Sequence, residues 1–204
     1  MTTPLRLLGK ASSINVRKVL WTCEEAGIPV RREDAGSDTP DVLATNPNGL
    51  VPVIAVPDGF LWESNSICRY LAGMAGRDDL LPREPLARAR VEMWMDWQAT
   101  ELNSAWRPAF MTLLRGATGF TTAQLAESIA VWNAKMAMLD GQLNRSGGYV
   151  AGATFTLADI VLGLSANRWL MTPIERPALP AVSAWLDRLE ARPGWRLHGR
   201  NGLP

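Results

Sequence analysis

The sequence predicts an α/β amino-terminal domain over residues 1–78 and an all-α, helical-bundle carboxy-terminal domain over residues 87–204. Short apolar runs alternate with helical spacing in the first part. The segment RDDLLPREP carries charges and prolines without periodicity, so we expect residues 79–86 to be a linker. Beyond it, nearly every stretch has the apolar spacing of a helix.

The first domain begins with a β-α-β order. Residues 5–8 are a short apolar run that ends at a glycine, which indicates a buried strand. Residues 14–23 have helical spacing, and Gly27 with Pro29 is a stop signal. Residues 30–33 fit a second strand. Residues 34–47 are rich in Ala, Gly, Ser, Asp and Pro, and predict a loop with at most one helical turn.

A hairpin and a helix complete the first domain. Residues 51–56 and 60–62 flank Pro-Asp-Gly, which is typical of an antiparallel hairpin. Ser64 is then expected to cap a helix.

Four helices are predicted in the second domain, and one of them has a clear start signal. They cover residues 87–115, 121–143, a third that begins after Thr156, and 180–192. Thr156 and Asp159 have the spacing of a capping box, and Phe155 and Ile160 have the spacing of a hydrophobic staple.

Composition and charge exclude several classes of protein. The chain has 204 residues, 47% hydrophobic and 20% charged, which suffices for a core without disulfide or metal. A formal net charge of +1 gives no polybasic surface for nucleic acid or an anionic membrane. No apolar stretch approaches the roughly 20 residues of a membrane span, and no signal-peptide pattern is present. We expect a cytoplasmic protein that contacts neither nucleic acid nor membrane.

Two cysteines and one histidine limit the chemistry. Cys23 and Cys68 are too far apart for a CxxC pair, and both lie in apolar helical patterns, so we expect buried free thiols. The only histidine, His198, lies near the end of the sequence. We therefore expect no metal site and no Ser-His-Asp catalysis.

Two serines stand between the first strand and the first helix. The hydroxyls of Ser12 and Ser13 would lie beside unpaired backbone N–H groups and the positive end of the helix dipole, where an anion or a thiolate binds well. A simpler interpretation is that one of them only caps the helix.

Two further segments flank the hairpin. Pro52 in NPNGLVPV fits the start of a strand, where its bond is usually trans. A cis bond would instead turn the N–H and C=O of Val51 outward to pair with a bound peptide. Glu63 and Ser64 fit a solvated charge and a helix cap. As a site they suit the ammonium and the carboxylate of an amino acid.

In this order and spacing, the segments resemble the cytosolic glutathione transferases. The resemblance is carried by SSINVRKVLWTCEEAGIP, NPNGLVPV, LWESNSICRYL and FTLADI, and it covers nearly the whole chain. It points to the bacterial theta-like, serine-type branch. It implies a thioredoxin-like first domain that holds reduced glutathione as co-substrate, a helical second domain that supplies most of the pocket for a small hydrophobic electrophile, and a homodimer.

The resemblance also assigns roles to residues. Ser13 matches the hydroxyl that faces the glutathione sulfur, and Asn15 resembles a thiol contact of a bacterial subgroup that reduces disulfides. The other matches are glutathione contacts: Ser12, Val51 beside the cysteinyl backbone, the cis-proline Pro52, Glu63 and Ser64 at the γ-glutamyl end, and Gln98 across a dimer interface.

Two positions depart from the family pattern. Ile14 stands where the zeta branch has cysteine, which argues against cis-trans isomerase activity. Leu50 stands where some theta-like relatives have lysine, so a charged contact to the glycyl carboxylate is missing from that position.

The pocket for the second substrate is expected on the helical domain. Trp106, Arg107 and Phe110 on the long helix, with Trp169 on the capped helix, are candidates for its wall. An apolar pocket with one cation would suit aromatic electrophiles or conjugated acids. The alternative is that these aromatic side chains belong to the core.

We expect an enzyme, a glutathione transferase that stabilises the thiolate through Ser13 for attack on a hydrophobic electrophile, as in detoxification. Glutathione-dependent reduction of a disulfide or peroxide is the alternative if Asn15 is the main thiol contact. A third possibility is a non-catalytic interaction protein on the same fold. The complete set of Pro52, Glu63 and Ser64 argues against that third possibility.

Overall fold

The structure is a computed structural model, and it describes residues 3–204. An α/β unit comes first, with elements β1 (Leu5–Leu8), α1 (Ile14–Ala26), β2 (Val30–Glu33), α2 (Pro40–Thr45), β3 (Val53–Val56), β4 (Gly59–Trp62) and α3 (Ser64–Met74). A helical unit follows, with elements α4 (Pro85–Trp97), α5 (Asn103–Arg115), α6 (Thr122–Ser146), α7 (Leu157–Met171) and α8 (Pro180–Leu189). Single π-helical turns lie at Gln98–Leu102 and Trp195–Gly199.

The four strands form one mixed sheet in the order β2-β1-β3-β4. β1 is parallel to β2 and antiparallel to β3, and β3 pairs with β4 as the predicted hairpin. The sheet with its helices is a thioredoxin-like domain, and only helices follow it among the described residues. The predicted fold class is confirmed.

The boundary between the two units is packed. Leu80 and Leu81 are buried, and the Leu80 carbonyl accepts the N–H of Leu157 at 3.0 Å. α4 begins at Pro85, two residues before the predicted helix start at residue 87, because the Glu84 carboxylate accepts the backbone N–H groups of Leu86 and Ala87. The segment between α3 and α4 is thus irregular but fixed to the core.

Residues 87–115 were predicted as one helix, and the structure divides this stretch. α4 and α5 are joined by the π turn Gln98–Leu102, which inserts a wider turn without breaking the run. Gln98, the first residue of the turn, is fully buried.

The two units share one hydrophobic core. Trp21 on α1 is fully buried, with ring centroids 5.9 Å from Phe155 and 5.5 Å from Trp195. Gly194 approaches Trp21 so closely that a Cβ there would lie 2.2 Å from the indole. α1 is therefore fixed by packing against the helical unit, which orients its amino terminus.

The start of α7 has the predicted capping box. The carboxylate of Asp159 is fully buried and accepts the N–H groups of Thr156, Val150 and the Trp185 indole, each at 2.9 Å. These bonds tie α7 to α8 and to the preceding turn. Within residues 3–204, no helix combines the length and the apolar character that a bilayer span requires.

Candidate functional site

A cleft of about 420 Å³ opens at the amino terminus of α1, between the two units. Its walls combine residues of the strand-to-helix turn, the β2–α2 loop, the segment before β3, and the helical unit: Lys10, Ser12, Ser13, Ile14, Asn15, Gly36, Ser37, Leu50, Val51, Arg115 and Arg168. Four of the predicted site residues, Ser12, Ser13, Asn15 and Val51, thus line one cavity.

Ser13 is the amino-terminal cap of α1, with extended backbone angles of −76° and 122°. Its Oγ accepts the N–H of Val16 at 3.5 Å, beyond the usual 2.7–3.2 Å range of such bonds. Capping uses the oxygen only as an acceptor, so the hydroxyl proton stays free to donate into the cleft. The capping interpretation and the functional one are therefore compatible.

The peptide bond between Val51 and Pro52 is cis, and Val51 lines the cleft. Val53 is paired with Trp62 across β3 and β4. Extending this register by one residue brings Pro52 beside Glu63, so the sheet places the predicted amino-acid clamp next to the predicted peptide contact.

Glu63 has φ of 69° and ψ of 110°, and it is the only non-glycine residue with positive φ among residues 3–204. Such a conformation costs of the order of 1–3 kcal/mol, and residues held this way cluster at functional sites. Glu63 is exposed and stands immediately before α3. Ser64, expected as the cap, is instead the first residue of the helix and is buried, because Glu63 occupies the cap position.

A buried polar network lies behind the cleft and connects α1, α3 and the π turn. Lys18 is fully buried, and its Nζ donates to Oε1 of Gln98 at 2.7 Å and to Oδ1 of Asn65 at 3.3 Å. Burial lowers the pKa of Lys18 to about 8. The other end of Gln98 donates to Asn103 at 3.1 Å and to Ser165 at 3.0 Å.

This network corrects the expected role of Gln98. The side chain is 0% exposed, and both ends of its amide are bonded inside the subunit. It cannot reach a ligand across a dimer interface without leaving those bonds. Gln98 therefore joins the two units, and its burial and its bonds argue against the expected ligand contact.

The wall that the helical unit contributes is built around Arg168 on α7. Its guanidinium lies 4.5 Å from the ring centroid of Trp106 and 4.1 Å from that of Phe110, both on α5. Arg115, at the end of α5, lies 5.4 Å from the same Phe110 ring. Trp106 and Phe110, two of the predicted wall residues, therefore pack against the arginines that line the cleft.

The other two predicted wall residues lie elsewhere. Trp169 is 3% exposed, and its indole N–H donates to Asn133 at 2.8 Å, so it is a core residue, as the alternative interpretation had it. Arg107 is exposed and is not among the residues that line the cleft. Because α5 turns Trp106 and Phe110 inward, Arg107 between them points away.

Sequence reasoning missed the three cations that line the cleft: Lys10, Arg115 and Arg168. A signal existed for one of them. Arg168 stands in α7, LADIVLGLSANRWLM, a helix buried from Leu157 to Trp169. A cation in a buried helix is uncommon and indicates a partner or a function.

The thiols and the histidine take no part in the cleft. Cys23 and Cys68 are free and buried as predicted, and burial raises their thiol pKa values to about 12 and 11. His198 lies in the last π turn, where burial lowers its pKa. Residues 3–204 hold no group of three His, Cys, Asp or Glu side chains suited to a metal ion.

Two other clefts of similar size differ in their chemistry. One, of about 460 Å³ between α5 and α6, contains Lys135 paired with Glu101 at 2.7 Å. Another, of about 530 Å³ at the sheet edge, contains Arg6 and Arg31, which both pair with Glu33. In these two clefts the cations have carboxylate partners, whereas no Asp or Glu is among the residues that line the cleft at α1.

Comparison with known families agrees with this geometry. Residues 12–74 match the family model for the glutathione S-transferase N-terminal domain, and residues 108–193 match that for the glutathione S-transferase C-terminal domain. The first match contains Ser13, Pro52 and Glu63, and the second contains Phe110 and Arg168.

Individual relatives cover most of the chain. Glutathione S-transferase GstB of Escherichia coli K12 is 34% identical over 94% of this chain and 96% of its own. The theta class glutathione S-transferase of Xanthomonas axonopodis pv. citri, solved with glutathione bound, is 34% identical, with a TM-score of 0.91 over the full length of both chains. Elongation factor 1-gamma 3 of rice is 30% identical over 72% of this chain but only 36% of its own.

Proposed function

Since the chain belongs to the glutathione S-transferase family, in its bacterial theta-like branch, we propose that Ser13 activates the thiol of reduced glutathione in the cleft. The observation that carries this assignment is the position of Ser13, which caps α1 through a long bond and keeps its hydroxyl proton free at the cavity wall. The serine acts as a hydrogen-bond donor to the sulfur and not as a nucleophile.

The available interactions are sufficient to ionise the thiol. Lowering a free thiol pKa from about 8.5 to about 6.5 requires roughly 2.7 kcal/mol. A hydrogen bond to a charged group contributes roughly 1.5–3 kcal/mol. The amino terminus of α1 adds about 0.3–1 kcal/mol. No protein base is required, which is consistent with a cleft lining that does not include His198.

We infer the binding positions of the other parts of glutathione from the register of the hairpin. We assign the γ-glutamyl ammonium to the carboxylate of Glu63, and its carboxylate to Ser64 at the amino terminus of α3. Val51 pairs with the cysteinyl backbone, and Ser12 lies at the rim. Lys10, which lies against Gly36, supplies the cation for the glycyl carboxylate that Leu50 does not provide.

The electrophile then takes the remaining side of the cleft. Trp106 and Phe110 of α5 back that wall, beneath the two arginines. A small hydrophobic acceptor would lie between this wall and the sulfur, with its electrophilic carbon toward Ser13. The reaction is attack of the thiolate on that carbon, as in glutathione conjugation.

A second activity has one observation in its favour. Asn15, the second residue of α1, lines the same cleft, and its side-chain amide makes no hydrogen bond within residues 3–204. A free amide beside the sulfur supports glutathione-dependent reduction of disulfides or peroxides if Asn15 is the main thiol contact.

A non-catalytic role is the weaker alternative. Elongation factor 1-gamma 3 carries a related region within a much longer chain, so the fold is also found in a protein that is not named a transferase. The strained backbone at Glu63 argues against a purely structural role here, because a residue that only builds the fold has no need of positive φ.

Calorimetric titration with reduced glutathione tests the site. Binding in the micromolar to millimolar range supports both enzymatic activities, and no binding at millimolar ligand would contradict them. Ser13→Ala should raise the pKa seen in the pH–rate profile while glutathione affinity changes little. An unchanged profile in Ser13→Ala would reject the assignment of Ser13.

We also propose a homodimer formed by one face of α3 and α4. Tyr70 and Met74 lie one turn apart on α3, and Leu86 and Met93 lie two turns apart on α4; all four are exposed. Arg69 on α3 bonds Glu92 and Asp96 on α4, which fixes the two helices side by side. Met93→Glu should shift the mass in light scattering from dimer to monomer.

The buried free thiols support a cytoplasmic location.

A further inference from the structure

Arg168 is a buried cation without a counterion. The residue is 4% exposed, and its Nε has no hydrogen-bond partner. Within residues 3–204 its guanidinium forms no salt bridge and donates no hydrogen bond. Burying a charge without a partner is costly, so such groups are normally paired. The position of Arg168 in the cleft wall indicates that the partner is a ligand.

The groups around Arg168 do not neutralise it. Trp106 and Phe110 present ring faces, and the charged groups that shift the pKa of Arg168, Arg17 and Arg115, are both cations. Burial and these two cations lower the pKa of Arg168 to about 9, which leaves it charged at neutral pH. Arg17 is already occupied, since it donates to the backbone oxygens of His198 and Leu203.

We propose that the cleft selects an electrophile that carries a carboxylate, and that Arg168 binds this carboxylate with help from Arg115. The two guanidinium groups lie 4.1 and 5.4 Å from the same Phe110 ring, so they form one cationic corner. A guanidinium presents paired donors that match a carboxylate, and the bond is strongest where water is excluded. The inference rests on the proposed function and names the substrate class of the same site.

The cationic corner belongs to the electrophile and not to glutathione because of its place in the fold. Arg115 and Arg168 lie on α5 and α7 of the helical unit. The two carboxylates of glutathione are assigned to α3 and to Lys10, which belong to the thioredoxin-like domain. The arginines therefore remain for an anion on the second substrate.

Two substrates that differ in charge test the proposal: 4-chloro-3-nitrobenzoate and its neutral amide, 4-chloro-3-nitrobenzamide. In both, the thiolate forms a C–S bond at the ring carbon that carries chlorine, and chloride leaves with the electrons of the C–Cl bond. The thiol proton goes to solvent, and nothing is oxidised or reduced overall. Dividing each kcat/KM by the uncatalysed rate constant with free glutathione removes the difference in intrinsic reactivity.

Arg168→Gln should lower the ratio of the normalised benzoate to benzamide values by about 10- to 100-fold, because it removes a charge-assisted hydrogen bond. Arg115→Gln should lower the ratio by about 2- to 5-fold, because Arg115 is exposed and screened by solvent. Arg188→Gln is the matched control. Arg188 also lies over an aromatic ring, 5.6 Å from Tyr149, but outside the cleft, so the ratio should stay within twofold.

Calorimetry with 3-nitrobenzoate, which has no leaving group, separates this inference from the proposed function. Binding that requires Arg168, with no turnover of either chlorinated substrate, would uphold the anion site and reject the proposed function. A ratio that is unchanged in Arg168→Gln would overturn the anion site. A raised thiol pKa in Arg168→Gln without a change in the benzoate to benzamide ratio would also overturn the anion site, since Arg168 would then act on the sulfur.

Discussion

The Nζ of Lys18 and the Oε1 of Gln98 are 2.7 Å apart and fully buried, and they join α1 of the thioredoxin-like domain to the π turn of the helical unit. The contact lies directly behind the cleft, since Ser13 caps the helix that carries Lys18. The amino terminus of α1 is therefore held against the helical unit by a charged hydrogen bond as well as by the packing of Trp21.

Removing only the acceptor, Gln98, should lower the stability of the protein more than removing both Gln98 and Lys18. Gln98→Leu leaves the Lys18 ammonium with only the 3.3 Å bond to Asn65, and should lower the free energy of unfolding by about 2–4 kcal/mol. The double variant Lys18→Met with Gln98→Leu removes the charge as well and should recover a large part of that loss. Urea unfolding measures both. A double variant less stable than Gln98→Leu would contradict the buried-charge account.

Lys18 should also make stability depend on pH above neutrality. Its pKa is lowered to about 8 in the folded state, so between pH 8 and about 10.5 the unfolded chain binds more protons. Below pH 8 the buried charge of Lys18 lowers the free energy of unfolding by a constant amount. As pH rises from 8 to about 10.5, this destabilisation is relieved by an amount on the order of 3 kcal/mol. Stability relative to Lys18→Met should therefore increase with pH.

The comparison with Lys18→Met is necessary because the thiols act in the opposite direction. Burial raises the pKa values of Cys23 and Cys68, so their contribution to stability falls at high pH. The effect of Cys23 cancels in the difference because that thiol is present in both proteins. The Lys18 charge lowers the pKa of Cys68, so both proteins are compared in a Cys68→Ser background. A difference that stays flat from pH 7 to 10 would show that Lys18 does not titrate in this range.

Much of the fold could be predicted because local patterns determine it. The short strands, the cap at Ser13 and the box at Thr156 and Asp159 depend on neighbouring residues, and the structure has each of them. Ser64 was misplaced by one position because its helix starts after a residue with positive φ, which the sequence does not reveal at a glutamate.

The part of the site that could not be predicted depends on contacts distant in sequence. α7 is buried on all sides, so apolar periodicity gives no direction for Arg168. Its place in the cleft follows from α5, which is more than fifty residues away. The burial of Gln98 could not be predicted because its partner, Lys18, is eighty residues away and the π turn has no sequence signature.

The backbone strain at Glu63 should be separable from the role of its carboxylate. Glu63→Gln keeps the strain and removes the charge, whereas Glu63→Gly removes both, because glycine adopts positive φ freely. Both variants should weaken glutathione binding by about 10- to 100-fold, since each loses the bond to the ammonium. Glu63→Gly should be more stable than Glu63→Gln by about 1 kcal/mol. Calorimetry and thermal unfolding measure the two effects, and equal stabilities would mean that the conformation is not strained.

Asn15 and Ser13 should divide the two enzymatic activities if each contacts the sulfur in a different reaction. Both line the cleft, but Ser13 stands at the dipole end of α1, where a thiolate is stabilised, and Asn15 lies two residues further on. Ser13→Ala should therefore lower turnover of 1-chloro-2,4-dinitrobenzene more than Asn15→Ala does, by about tenfold. Turnover of hydroxyethyl disulfide provides the comparison. If Asn15→Ala is the more damaging variant with both substrates, Asn15 is the main thiol contact, and disulfide reduction becomes the better description of this enzyme.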